Sequence, residues 1–108
     1  MYNVYNVYYI STPHLDVLTT PKLKVTSVTG VTLNLEWSPV RGASYYTLIV
    51  REDTSSRPPR EVLTIYDEVA TVTDLKTATR YCVVLSAKNS ISQSAYSQPV
   101  CVTTGVPM

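Results

Sequence analysis

Cys82 and Cys101 are the only two cysteines of the chain, and two thiols can form a disulfide, supply half of a metal site or stay inert. The residues around them discriminate between these. Tyr81, Val83, Leu85 and Ala87 alternate as one buried strand face, and Val100 and Val102 do the same later in the chain. A period of two then sends both thiols to the opposite, outer face. If the cysteines face one another, the intervening hairpin is centred between Ile91 and Ser92, inside the polar run 89–94 where a turn is expected. A cross-strand disulfide is the expected outcome, with Cα atoms about 4.4–6.8 Å apart and both side chains towards solvent. Free, partly exposed thiols are the alternative. Zinc is disfavoured because no further His or Cys stands ready to complete a ligand set.

Catalytic chemistry finds little support elsewhere. The sole histidine, His14, is far in sequence from either cysteine, and no serine sits in a nucleophile-elbow context. Asp67, Glu68 and Asp74 fall at expected turns, where carboxylates commonly accept local backbone hydrogen bonds. No glycine-rich phosphate loop occurs. The chain is therefore expected to be no enzyme, with no catalytic residues, no cofactor and no metal. A net charge of +1 with scattered basic residues argues against a nucleic-acid surface. No run approaches the roughly 20 apolar residues of a membrane span, so direct membrane insertion is not expected. The first residues lack the basic start and apolar stretch of a secretory signal.

The elements that must position the cysteines are strands. Seven prolines and recurrent Thr, Val and Tyr favour short strands joined by turns. Leu23, Val25 and Val28 lead to a Thr29-Gly30 turn, after which Val31, Leu33, Leu35 and Trp37 alternate inwards. Ser38-Pro39 stops that strand, and Tyr46, Leu48 and Val50 begin the next buried face. The run 53–60 is polar and contains Pro58-Pro59, which cannot donate to a ladder, so an exposed loop is predicted. Residues 61–65 and 70–73 read as two short strands separated by Asp67-Glu68. The strands of Cys82 and Cys101 complete a set of seven, the number of a two-sheet sandwich.

Several segments together resemble a known family. Trp37 within Leu33-Asn34-Leu35-Glu36-Trp37-Ser38-Pro39, the run Tyr46-Thr47-Leu48-Ile49-Val50, the spacing of Leu75 to Tyr81, and Ser97-Gln98-Pro99 leading to Thr104 look like a fibronectin type III domain. The resemblance implies an all-β fold, a seven-stranded antiparallel immunoglobulin-like β-sandwich. It also makes Trp37, Tyr46, Leu75 and Tyr81 structural core. Tyr81 resembles the tyrosine of the family's corner, its ring inside and its hydroxyl tied to upstream backbone. A disulfide is not part of the general family pattern. Residues 21–105 form the expected domain and 106–108 a tail. Residues 1–20 read as the remnant of a preceding repeat, because Ser11-Thr12-Pro13 followed by residues 15–21 resembles Ser97-Gln98-Pro99 followed by residues 100–104. A disordered leader is the alternative.

The loop 88–94 lacks Arg-Gly-Asp, and Gln93-Ser94-Ala95-Tyr96-Ser97 keeps the serines but neither tryptophan of the Trp-Ser-x-Trp-Ser box of cytokine receptors. Arg57-Pro58-Pro59-Arg60 could offer a polyproline turn, although a basic proline loop is usually only solvated. The expectation is a non-catalytic interaction or spacer module, one monomeric repeat of a multi-domain extracellular protein with a protein partner of unknown identity. An intracellular scaffold domain with reduced cysteines, or an accessory module of a larger enzyme, are the competing readings.

Overall fold

Apolar alternation is realised in seven strands: β1 (Lys24–Val28), β2 (Leu33–Glu36), β3 (Tyr45–Glu52), β4 (Glu61–Ile65), β5 (Val69–Val72), β6 (Arg80–Lys88) and β7 (Val100–Thr103). The computed structural model describes residues 18–53 and 61–106. The expected Pro58-Pro59 loop and all but the last three residues of the expected remnant lie outside them. Strands β1-β2-β5 form one sheet and β4-β3-β6-β7 the other, with every pairing antiparallel. This is the two-layer sandwich that seven short amphipathic strands require, since each sheet must bury one face against the other.

Between the layers lie Leu33 and Leu35 of β2, Ala70 and Val72 of β5, Tyr46, Leu48 and Val50 of β3, and Tyr81, Val83, Leu85 and Ala87 of β6. Each is a period-two position, and burial of one such aliphatic side chain is worth about 1.5–3 kcal/mol. Trp37, Val40 and Leu75 close the ends of this core. Trp37 follows β2 directly, and its backbone N–H donates to the carbonyl of Glu68.

Three departures from the sequence pattern have identifiable causes. Val25 and Val28 are three residues apart, yet both pack on the core. A β-bulge between Val25 and Ser27 shifts the pairing with β2 and restores the inward direction. Val31, expected inward, is 48% exposed. Thr29 captures the N–H groups of Val31 and Thr32 on its side-chain oxygen, which holds Val31 in the turn rather than in the strand.

The third departure is at the domain boundary. Leu18 is buried in the core, so a boundary between residues 20 and 21 cuts off a core side chain. Leu18 reaches the turn that joins β2 to β3, where Ala43 N–H donates to Val40 O and Gly42 has φ of 88°. A positive φ at the third residue is what a type II turn demands, and glycine adopts it without a Cβ clash. At the other end, Gly105 donates to Thr29 O and accepts from Ala78 N–H. It ties the chain after β7 to the β1–β2 turn and to the loop before β6.

Candidate functional site

Among the described residues, the chemistry-bearing side chains converge on the outer face of the four-stranded sheet. Residues Ile49 and Arg51 of β3 face outward because Leu48 and Val50 face inward. Register sets Ile49 between Val62 and Val84, and Arg51 beside Cys82, which in turn faces Cys101. Ile49, Arg51, Val84 and the two cysteines, together with Pro99 and Asp53, line a cavity of about 420 Å³. Its walls are mostly apolar, with one guanidinium and one carboxylate at the same end.

Cys82 and Cys101 are bonded, with Sγ atoms 2.07 Å apart, but their Cα atoms are 4.0 Å apart, closer than expected for a disulfide. The close approach of the backbones follows from the register. Thr104 N–H donates to Thr79 O, which makes the odd-numbered residues of β6 the hydrogen-bonded pairs and leaves Cys82 opposite Cys101 at a non-hydrogen-bonded position. There facing Cα atoms stand nearest, about 4.5 Å apart in a regular ladder. Cys82 is more enclosed than expected, at 9% exposure, while Cys101 is partly open. Oδ1 of Asp53 lies 3.3 Å from Sγ of Cys82. A disulfide sulfur has no hydrogen to donate, so this is a contact and not a hydrogen bond. The other carboxylate oxygen of Asp53 pairs with Nε of Arg80 at 3.0 Å.

Further along the same face, Tyr45 stands beside Lys88 in register and its ring centroid is 6.0 Å from that of Tyr66. The ammonium of Lys88 lies 5.9 Å from the ring of Tyr96. Ser86 is fully buried under the segment that follows the β6–β7 turn, and its hydroxyl donates to Ser94 O. Ser94 and Ser97 accept from the N–H groups of Ala87 and Leu85, so two hydroxyls stand in for ladder carbonyls. The turn is centred between Ser90 and Ile91, one residue before the expected midpoint between Ile91 and Ser92, since Asn89 N–H donates to Ser92 O and Lys88 pairs with Gln93. Ser94 N–H reaches Ala87 O and Ser97 N–H reaches Leu85 O, so the second arm takes three steps to the first arm's two. The same mismatch recurs before Val100 meets Val83, and these two insertions bring the cysteines opposite.

The residues expected in the core are placed as follows. Tyr81 is fully buried and its hydroxyl accepts from Lys76 N–H at 2.9 Å. Leu75 is 4% exposed and donates its N–H to Val31 O. Trp37 packs edge-on to Tyr46 with centroids 5.4 Å apart. The Tyr46 hydroxyl accepts from Val40 N–H at 3.0 Å and donates to Glu68 Oε2 at 3.1 Å. Burial raises the pKa of this phenol above its ordinary value, opposed by the Val40 hydrogen bond and assisted by the neighbouring Glu68 carboxylate. None of the four lines the outer-face cavity.

Asp53, Ser94 and Ser97 were missing from the sequence-based site. Asp53 was legible in principle, because counting by twos from Ile49 and Arg51 reaches it. The serines were visible only as the remnant of the cytokine-receptor box, and their hydroxyl roles depend on the turn geometry.

The architecture is that of an immunoglobulin-like β-sandwich module. The fibronectin type III domain model matches residues 19–103, and the chain belongs to that family. Among solved structures, the fn3 domain of human collagen alpha-1(XX) chain is 25% identical with a TM-score of 0.72, over 82% of this chain and 86% of that one. A domain described as FN3tt is 27% identical with a TM-score of 0.69, over 82% of this chain and 95% of that one. A computer-redesigned β-sandwich at 21% identity and a TM-score of 0.70 shares the fold. No curated protein matched the chain significantly. Domains of this family are generally non-catalytic interaction or spacer modules.

Proposed function

We propose that this chain is a non-catalytic repeat of a multi-domain extracellular protein, where it spaces its neighbours and presents a sheet face or loops to a protein partner. The Cys82–Cys101 bond carries this reading, because structural disulfides persist in oxidising compartments and are rare in reducing ones. Outward apolar and aromatic side chains support the binding role: Val62 is 64% and Tyr66 77% exposed on or beside the four-stranded sheet. Aromatic residues are enriched at protein interfaces, and exposed apolar patches commonly mark them. On this reading the isolated domain is monomeric, uses no cofactor and engages neither nucleic acid nor membrane.

The test is the redox state in the natural setting. Protein taken from its source is denatured under alkylating, non-reducing conditions and mapped by mass spectrometry. Unlabelled, joined cysteines support the extracellular reading. Two labelled cysteines would overturn it in favour of an intracellular scaffold domain.

A further inference from the structure

We propose that the outer-face cavity is a thiol-exchange site, in which a small carboxylate-bearing thiol attacks Sγ of Cys101 and displaces Cys82. The cavity opens onto the disulfide itself, since both cysteines line it. A thiolate attacks the sulfur it can reach. Cys101 is the more open of the two, whereas Cys82 is 9% exposed. The Asp53 carboxylate, 3.3 Å from Cys82 Sγ, also repels an anionic nucleophile from that sulfur. Access selects Cys101, and the same carboxylate opposes a lasting thiolate on Cys82, so the sulfur that leaves must be protonated as it departs.

The exchange balances within the pocket. The incoming thiolate forms a new S–S bond to Cys101 Sγ as the Cys82–Cys101 bond breaks, and the electron pair leaves on Cys82 Sγ. That sulfur takes a proton from water and becomes a thiol. Its hydrogen then has an acceptor in place, because Oδ1 of Asp53 already stands at the distance of an S–H donor contact. The small thiol is oxidised into the mixed disulfide and Cys82 is reduced. Asp53 is held for this role by its other oxygen, which pairs with Arg80. Arg51 lies beside Cys82 in register, lines the same cavity and makes no ion pair among the described residues. Its guanidinium is the recognition element for a carboxylate on the entering thiol. Ile49, Val84 and Pro99 supply apolar walls for the rest of that molecule.

The experiment incubates the folded, oxidised chain with glutathione, quenches with acid, alkylates the freed thiol and maps both cysteines. Glutathione on Cys101 and alkyl label on Cys82, in excess of the reverse by about tenfold or more, is the expected result. Arg51→Ala should slow the reaction with glutathione several-fold more than the reaction with 2-mercaptoethanol, which carries no carboxylate. Equal labelling, or glutathione chiefly on Cys82, would overturn the proposal. So would an exchange rate that follows global unfolding across a urea series, which would mean that the folded pocket admits no thiol.

Discussion

A Cβ added at Gly42 would stand 3.2 Å from Cδ2 of Leu18, so the β2–β3 turn and the residue seven places ahead of β1's second position are packed as one unit. Leu18 is therefore part of the sandwich. Leu18→Ala should cost about 2–3 kcal/mol, the lower part of the range for a buried leucine, because the site lies at the rim of the core where partial collapse is possible. Deleting residues 1–19 should lower the urea midpoint at least as far as Leu18→Ala does. A deletion that leaves the midpoint unchanged would return the boundary to residue 20.

Trp37 is 6% exposed and holds an edge-on contact with Tyr46. Its truncation, Trp37→Ala, should destabilise the domain by about 3–5 kcal/mol, as expected for a large buried aromatic. That is a large share of the stability of a small domain. Chemical denaturation followed by tyrosine fluorescence or circular dichroism measures it, and a shift below about 1 kcal/mol would contradict the core assignment.

The corner formed by Leu75 and Tyr81 depends on a single hydroxyl. Tyr81→Phe preserves the ring in its buried site but removes the acceptor of Lys76 N–H. A loss of about 1–3 kcal/mol is expected, set by the unmet N–H and not by packing. Hydrogen exchange at Lys76 should accelerate in parallel. Unchanged protection there would separate the hydroxyl from the stability of the corner.

Tyr46 makes stability depend on alkaline pH. Its folded pKa is raised, chiefly by burial, so the unfolded chain loses this proton near the ordinary tyrosine value of about 10 while the native state keeps it. The contribution is fully present below that value, falls as pH rises above it, and levels off past the folded pKa. Tyr46→Phe should be less stable at neutral pH, having lost the acceptor for Val40 N–H, yet should decline less steeply above pH 10. Parallel pH profiles for the two proteins would refute this.

Reduction of the Cys82–Cys101 bridge, whose cysteines are 19 residues apart, should lower stability by about 3 kcal/mol in the chain-entropy account. The sandwich should remain, since both sulfurs sit outside the two-layer core. Near-ultraviolet circular dichroism of the reduced, alkylated chain should keep its Trp37 and Tyr81 signals. Their disappearance without denaturant would show that the bridge is required for the fold.

Alternation along single strands was legible in the residues themselves, because a strand's side chains change face at every step regardless of what lies beyond it. Tyr46, Leu48 and Val50, and Tyr81, Val83, Leu85 and Ala87, declare a buried face in that way, and the same counting turns Cys82 and Cys101 outward together. The resemblance around Leu75 and Tyr81 added the corner. What the chain alone did not reveal depends on which segments meet. The bulge in β1, the two insertions after the β6–β7 turn, and the substitution of Ser94 and Ser97 hydroxyls for ladder carbonyls are settled only when two strands are aligned. Burial of Leu18 arises from contact with a turn more than twenty residues later. The placement of Asp53 against Cys82 joins side chains separated by 29 positions. Local periodicity assigns a side chain to a face, whereas its neighbours on that face are set by register, and register is decided by the packing of the whole sandwich.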